Sequence, residues 1–151
     1  KQREAPRVSA LDVAAYILHK NGPMTVMKLQ KLTYYCQAWS LVWDEQPLFA
    51  DRIEAWSSGP VIPVLYQAHR GQFLVREIQG GDPNKLNATQ KETIEAVLKF
   101  YGTKPAQWLS DLTHNEKPWE DARKGLSHSE RSNQEISLAS MEEYYSSLPR
   151  K

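Results

Sequence analysis

The chain has 151 residues, enough for one domain whose hydrophobic core needs neither metal nor disulfide. It is 40% hydrophobic and 25% charged, an ordinary globular composition. The charge is nearly balanced, 19 Lys and Arg against 18 Asp and Glu, which excludes the broad positive field of a nonspecific nucleic-acid binder but leaves a local basic patch open. One cysteine, Cys36, excludes an intrachain disulfide and suits a reducing cytoplasm. No apolar run reaches the roughly 20 residues of a membrane span, so no membrane partner is expected. No secretory signal opens the sequence, which starts at Lys1 rather than Met and leaves an earlier segment open.

Residues 1–8, KQREAPRV, are polar, contain Pro6, and are expected to form a flexible N-terminal arm ahead of a domain over 9–148. Ser9 reads as an N-cap with Asp12 completing a capping box. The helix it opens carries Leu11, Ala14, Ile17 and Leu18 on one side and stops at Asn21-Gly22-Pro23. Thr25 caps a longer helix whose apolar stripe is Leu29, Leu32, Cys36, Trp39 and Trp43, with Tyr35 and Val42 widening it. Lys28, Lys31 and Gln37 are expected off that face.

After Asp44 the helical period is lost. Pro47 and the runs PLF and IEAW suggest two short strands or extended segments, followed by a turn at Ser58-Gly59-Pro60. Pro63 fits the first turn of a helix ending near His69, with Gly71 as its stop. QFLVREI suggests a third short strand, and Gly80-Gly81-Asp82-Pro83 a loop. Asn87, with Gln90 at the capping-box position, opens a helix with the stripe Ile94, Val97, Leu98 and Tyr101, ended by Gly102. KPAQWLSDL reads as a short helix presenting Trp108, Leu109 and Leu112. Pro118 begins another, ending at Gly125. LSHSERSNQE is expected to be mobile, and Ser137 or Ser140 caps a last helix through Met141, Tyr144, Tyr145 and Leu148. The expected fold class is a mainly α, single compact helical domain with a small β element of two or three short strands.

Chemistry-bearing residues are sparse. Cys36 falls within the apolar stripe, where a thiol is inert. His19, His69, His114 and His128 have no metal-ligand spacing, and no zincin, nucleophile-elbow or P-loop motif occurs, so no metal or cofactor is expected. Lys28 and Lys31, beside Tyr34 and Tyr35, could read DNA from the second helix of a helix-turn-helix. Two lysines neutralise few phosphates, so a solvated helix edge is the preferred reading. The most site-like stretch is LTHNEKPWEDAR, residues 112–123. His114 and Glu116, with Asp111, could form an acid–base pair. The same residues are also the grammar of a helix boundary: Pro118 in a first turn, Glu120 and Asp121 at a helix N-terminus, Trp119 packing inward. A structural or epitope corner is preferred to catalysis, because no second catalytic constellation supports it.

Three segments in order, MKLQKLTYYCQAW (27–39), IEAWSSGPVIPVLY (53–66) and LTHNEKPWEDAR (112–123), followed by ISLASMEEYY, resemble the Panacea-domain antitoxins, also described as SocA-like or phage-associated GepA-like proteins. The resemblance covers roughly residues 9–148. The K-L-x-K-L-x-Y-Y stretch falls on Lys28, Leu29, Lys31, Leu32, Tyr34 and Tyr35, with the later aromatic at Trp39. The A-W-x-x-G-P-V motif falls on Ala55, Trp56, Gly59, Pro60 and Val61, with the following tyrosine at Tyr66. The T-H-x-E-x-P-W motif falls on Thr113, His114, Glu116, Pro118 and Trp119. Family members often carry an aromatic before the Gly-Pro, where this chain has Ser58. The resemblance implies a cytoplasmic, non-enzymatic antitoxin of a toxin–antitoxin module, often on a prophage, that binds a cognate toxin encoded by an adjacent gene. It also implies an ATP-dependent protease as a further partner where the toxin is delivered for degradation. Autoregulatory DNA binding is the alternative carried by the residues alone. Tyr34, Arg52, Trp56, Tyr66 and Arg70 are the candidate partner-binding residues. The family-motif residues, structural or epitope, are Lys28, Lys31, Tyr35, Trp39, Gly59, Pro60, His114, Glu116, Pro118 and Trp119.

Overall fold

A computed structural model describes residues 8–149. The expected arm lies outside the described residues except for Val8, which is buried and belongs to the core. Among the described residues the chain forms seven α-helices and two small antiparallel sheets, a mainly α fold as expected. Helix α1 spans Ala10–Asn21 and begins at the expected Ser9–Asp12 capping box. Asp12 is itself buried, because its second oxygen accepts the Asp82 N–H at 2.8 Å and ties the start of α1 to a distant loop.

Helix α2, Val26–Trp43, is capped by Thr25 and runs through the centre of the molecule. It packs against α1, α4 (Ala88–Tyr101), α5 (Ala106–His114) and α7 (Leu138–Ser146). From Leu29 to Ala38 every residue of the helix is buried, so this stretch has no solvated edge. Lys31 and Gln37, expected off the apolar face, are accordingly 1% and 0% exposed. The far end of the expected stripe is the reverse case: Trp43 is 46% exposed and stacks on Trp39 near the surface.

The polar side chains of α2 explain how irregular chain can lie against it. Gln37 donates to Phe49 O at 2.8 Å and accepts from Leu48 N at 2.7 Å. Gln30 makes the same two-way clasp with Ile62, accepting its N–H at 2.8 Å and donating to its carbonyl at 3.3 Å. Buried backbone needs partners, and here amide side chains replace a sheet ladder. This is why the run PLF forms no strand.

The strands are shorter than the sequence suggests and partly elsewhere. Strand β2, Glu54–Trp56, pairs with β3, Gly59–Val61, so Gly59 and Pro60 lie in a strand rather than at the tip of the turn. Strand β1, Met24–Thr25, pairs with β4, Leu74–Val75, the remnant of the third expected strand. Helix α3, Pro63–His69, starts at Pro63 and is followed by Gly71 at φ +89°. A single 3-10 turn, Pro83–Lys85, interrupts the expected loop. Helix α4 has the Asn87–Gln90 capping box and buries Ile94, Val97, Leu98 and Tyr101. Helix α6, Lys117–Ala122, is followed by the stretch expected to be mobile. That stretch is held instead: Gln134 O accepts from Ala55 N at 2.8 Å, and Ile136 N donates to Ile53 O at 2.8 Å. Ser137, not Ser140, caps α7.

Candidate functional site

The three family-like segments meet at one place. From α2, Tyr35 donates its hydroxyl to Glu116 Oε1 at 2.8 Å. From α7, Tyr145 donates to the same oxygen at 2.6 Å. Because that proton is committed to Glu116, the 3.0 Å contact between Tyr34 and Tyr145 has Tyr34 as its donor. Tyr101 stacks on Tyr35 with ring centroids 4.2 Å apart, and accepts from Trp39 Nε1 at 3.0 Å. Glu116 is the N-cap of α6 and is 5% exposed. Burial pushes its carboxyl up to about 7, against the opposing pull of the two tyrosine donors.

Lys31 lies one turn before Tyr35 and is buried against the β2–β3 hairpin. A Cβ on Gly59 would stand 2.6 Å from Lys31 Cε and 3.1 Å from Thr113 Oγ1, and Gly59 has φ +117°. Only glycine admits both the close approach and that backbone conformation. Among the described residues Lys31 has no ion pair, and burial pulls its amine down to about 8. At 1% exposure Lys31 is neither on the solvated helix edge that the sequence favours nor placed to reach a phosphate as the DNA-reading alternative requires; Lys28 is half-buried.

The corner at 112–123 is a helix boundary, as its grammar indicates. Trp119 is 1% exposed and donates its indole N–H to Trp56 O at 2.7 Å, pinning α6 to the hairpin. Pro118 and Pro60 are also buried. His114 packs on Trp119 with ring centroids 4.3 Å apart, and among the described residues its buried Nε2 has no hydrogen-bond partner. Burial, then the nearby Lys31 and His128, lower the His114 pKa. Asp111 accepts from Gln107, and Glu116 is engaged by tyrosines. His114 and Glu116 therefore do not form the acid–base pair the sequence allowed. Among the described residues no cluster of three or more His, Cys, Asp or Glu side chains could hold a metal ion.

Sequence reasoning missed Arg123. Its guanidinium donates to the carbonyls of Ala55 at 2.9 Å and Ser127 at 2.8 Å, and also to those of His128 and Glu130. It sits 4.9 Å over the Trp119 ring. Its signal was an arginine ahead of a long polar stretch. Arg123→Ala is expected to lower stability by about 2–3 kcal/mol, since the buried Ala55 carbonyl and three part-buried ones lose a charged donor. Hydrogen exchange should report opening of residues 124–135 first. Unchanged protection there would show that the clasp does not order the loop.

The five candidate partner residues separate. Tyr34 is 1% exposed and is withdrawn as a surface residue. Trp56 and Tyr66 are half-buried with rings 5.1 Å apart, and they line an open cleft of about 600 Å³ with Glu54, Ser57 and Arg131. Arg52 is exposed near this cleft but engaged, through Glu54 at 2.8 Å, Glu135 at 3.0 Å and Asn133 O at 3.0 Å. Arg70 is exposed at the other end of α3, ahead of β4.

Fold and site define a small helical domain in which α2, α4, α7 and the N-cap of α6 close on a buried hydroxyl–carboxylate centre, leaving an aromatic cleft at the hairpin. The family model described as antitoxin SocA-like, Panacea domain, matches residues 29–120, and the chain belongs to that family. Comparisons with curated proteins and with solved structures gave no match. No described helix is long and apolar enough to cross a membrane.

Proposed function

We propose that this chain is a non-enzymatic antitoxin that neutralises a protein toxin, encoded by an adjacent gene, by binding it directly. Membership in the antitoxin SocA-like family supports the antitoxin role. The observation that carries direct binding is the cleft at Trp56 and Tyr66, an aromatic pair left accessible where α3 meets a hairpin that Trp119, Arg123 and Gln134 hold in place. Rigid aromatics with a polar rim are the usual anchors of a protein interface. The buried roles of Glu116 and His114 support action by contact rather than by acid–base chemistry.

The test is growth rescue with the adjacent open reading frame, induced alone and then with this protein, followed by pull-down from the rescued cells. Toxicity, rescue and a co-purifying neighbour are expected. Trp56→Ala with Tyr66→Ala should weaken the complex by about a hundredfold and abolish rescue. Rescue accompanied by loss of the toxin, without a stable complex, would replace occlusion with delivery to a protease. A harmless neighbour that does not co-purify would overturn the proposal.

A further inference from the structure

The β1–β4 sheet has two strands among the described residues. Met24 and Val75 pair and face the core, 7% and 0% exposed. By strand alternation their neighbours, Thr25 and Leu74, face outward. Leu74 is 51% exposed and Phe73 is 78% exposed, the highest value among the large hydrophobic residues described. Val26 donates its N–H to Phe73 O at 2.9 Å. Thr25 and Leu74 are therefore the non-hydrogen-bonded pair of the ladder, and the N–H and C=O of Leu74 point to the open side of β4. Among the described residues nothing pairs with that side of β4, and an apolar edge of this kind is a template for strand addition.

The charges around this edge choose among occupants. Arg70 precedes it and Arg76 follows it, both exposed. Lys28 stands above Thr25, whose Oγ1 accepts the Lys28 N–H at 3.2 Å. None of the three has an ion pair among the described residues, and Glu77 is the acidic residue beside them in sequence. An occupant must be apolar enough to cover Phe73 and acidic enough to match this rim. A second copy of the chain would bring Arg70 and Arg76 against themselves.

We propose that β4 is a second docking site, distinct from the Trp56 cleft, that takes an extended acidic segment of the toxin. The segment pairs with the Leu74 backbone, covers Phe73 and Leu74 with apolar side chains, and sets carboxylates against Arg70 and Arg76. The inference rests on the antitoxin reading above.

The probe is the purified product of the adjacent open reading frame, titrated calorimetrically with wild-type protein, with Phe73→Ser/Leu74→Ser, and with Arg70→Glu/Arg76→Glu. Both pairs are exposed, so melting temperatures should stay near wild type. The apolar double variant should bind at least about tenfold more weakly. The arginine variant should bind more weakly and lose most of the salt dependence seen with wild type. Wild-type affinity in both variants, with the Trp56 and Tyr66 variant still defective, would overturn this site and leave the antitoxin reading standing. A wild-type chain that does not bind the probe would overturn both. Sedimentation of the chain alone, and of the chain with phosphatidylserine vesicles, covers the other occupants. A dimer, or vesicle binding, that the apolar variant abolishes would overturn the assignment to the toxin.

Discussion

Glu116→Ala is expected to destabilise the protein by roughly 2–6 kcal/mol, because it strips the acceptor from two buried hydroxyl donors at about 1–3 kcal/mol each. Those donors, Tyr35 and Tyr145, sit on α2 and α7, so the loss should fall first on the docking of α7. Urea unfolding at pH 7 measures it, with Glu116→Gln as the companion that keeps one carbonyl oxygen. A wild-type midpoint for Glu116→Ala would show that the carboxylate does not hold the corner.

The pH profile distinguishes the pair further. The folded carboxyl titrates at about 7, above its ordinary 4.5. Between those values the folded chain keeps a proton that the unfolded chain has released. Stability therefore falls as pH rises: the contribution is full below about 4.5 and gone above about 7. The difference profile of wild type against Glu116→Gln should change by at most about 3 kcal/mol across that window. The difference is needed because burial lowers the pKa of both His69 and His114, which gives slopes of the opposite sign nearby. A flat difference profile would mean that Glu116 is ionised in the fold at all these pH values.

Lys31→Met is expected to stabilise the protein by roughly 1–3 kcal/mol at pH 7, since an ammonium without a carboxylate partner is desolvated at a high cost. The folded amine titrates at about 8, below its ordinary 10.5. Between these values the unfolded chain binds the extra proton, so wild-type stability should rise with pH across that window, and the methionine variant should lack the slope. Methionine is unbranched and shorter than lysine, which suits the crowded approach to Gly59. A less stable methionine variant would show that the amine makes a favourable contact inside the fold. Retained rescue in the same variant would place Lys31 outside the toxin interface.

Local grammar was legible wherever a short-range rule decides. The Ser9–Asp12 and Asn87–Gln90 capping boxes, the Thr25 and Ser137 caps, and the proline starts of α3 and α6 all stand where side chain and backbone within one turn put them. The buried stripe of α4 follows from period alone, because one side of that helix faces solvent. The family segments were readable for the same reason: they are contiguous strings.

Helix α2 marks where that reading stops. A helix with neighbours all round has no polar side, so periodicity cannot say that Lys31, Gln37 and Tyr34 lie inside. Nor can it say that Gln30 and Gln37 serve as backbone partners for chain 11 to 32 residues away. The strands escaped for a related reason, since two- and three-residue ladders are set by what they pack against and not by alternation. By itself the sequence determined most helix starts, the fold class and the family strings, all governed by interactions within a few residues, whereas α6 stops at Ala122 and not at the expected Gly125. Only the tertiary structure decided that Glu116 is a shared acceptor rather than an acid–base partner of His114, that Arg123 clasps the following loop, and that Phe73 is left bare. Those outcomes depend on which distant groups arrive to satisfy, or fail to cover, each side chain.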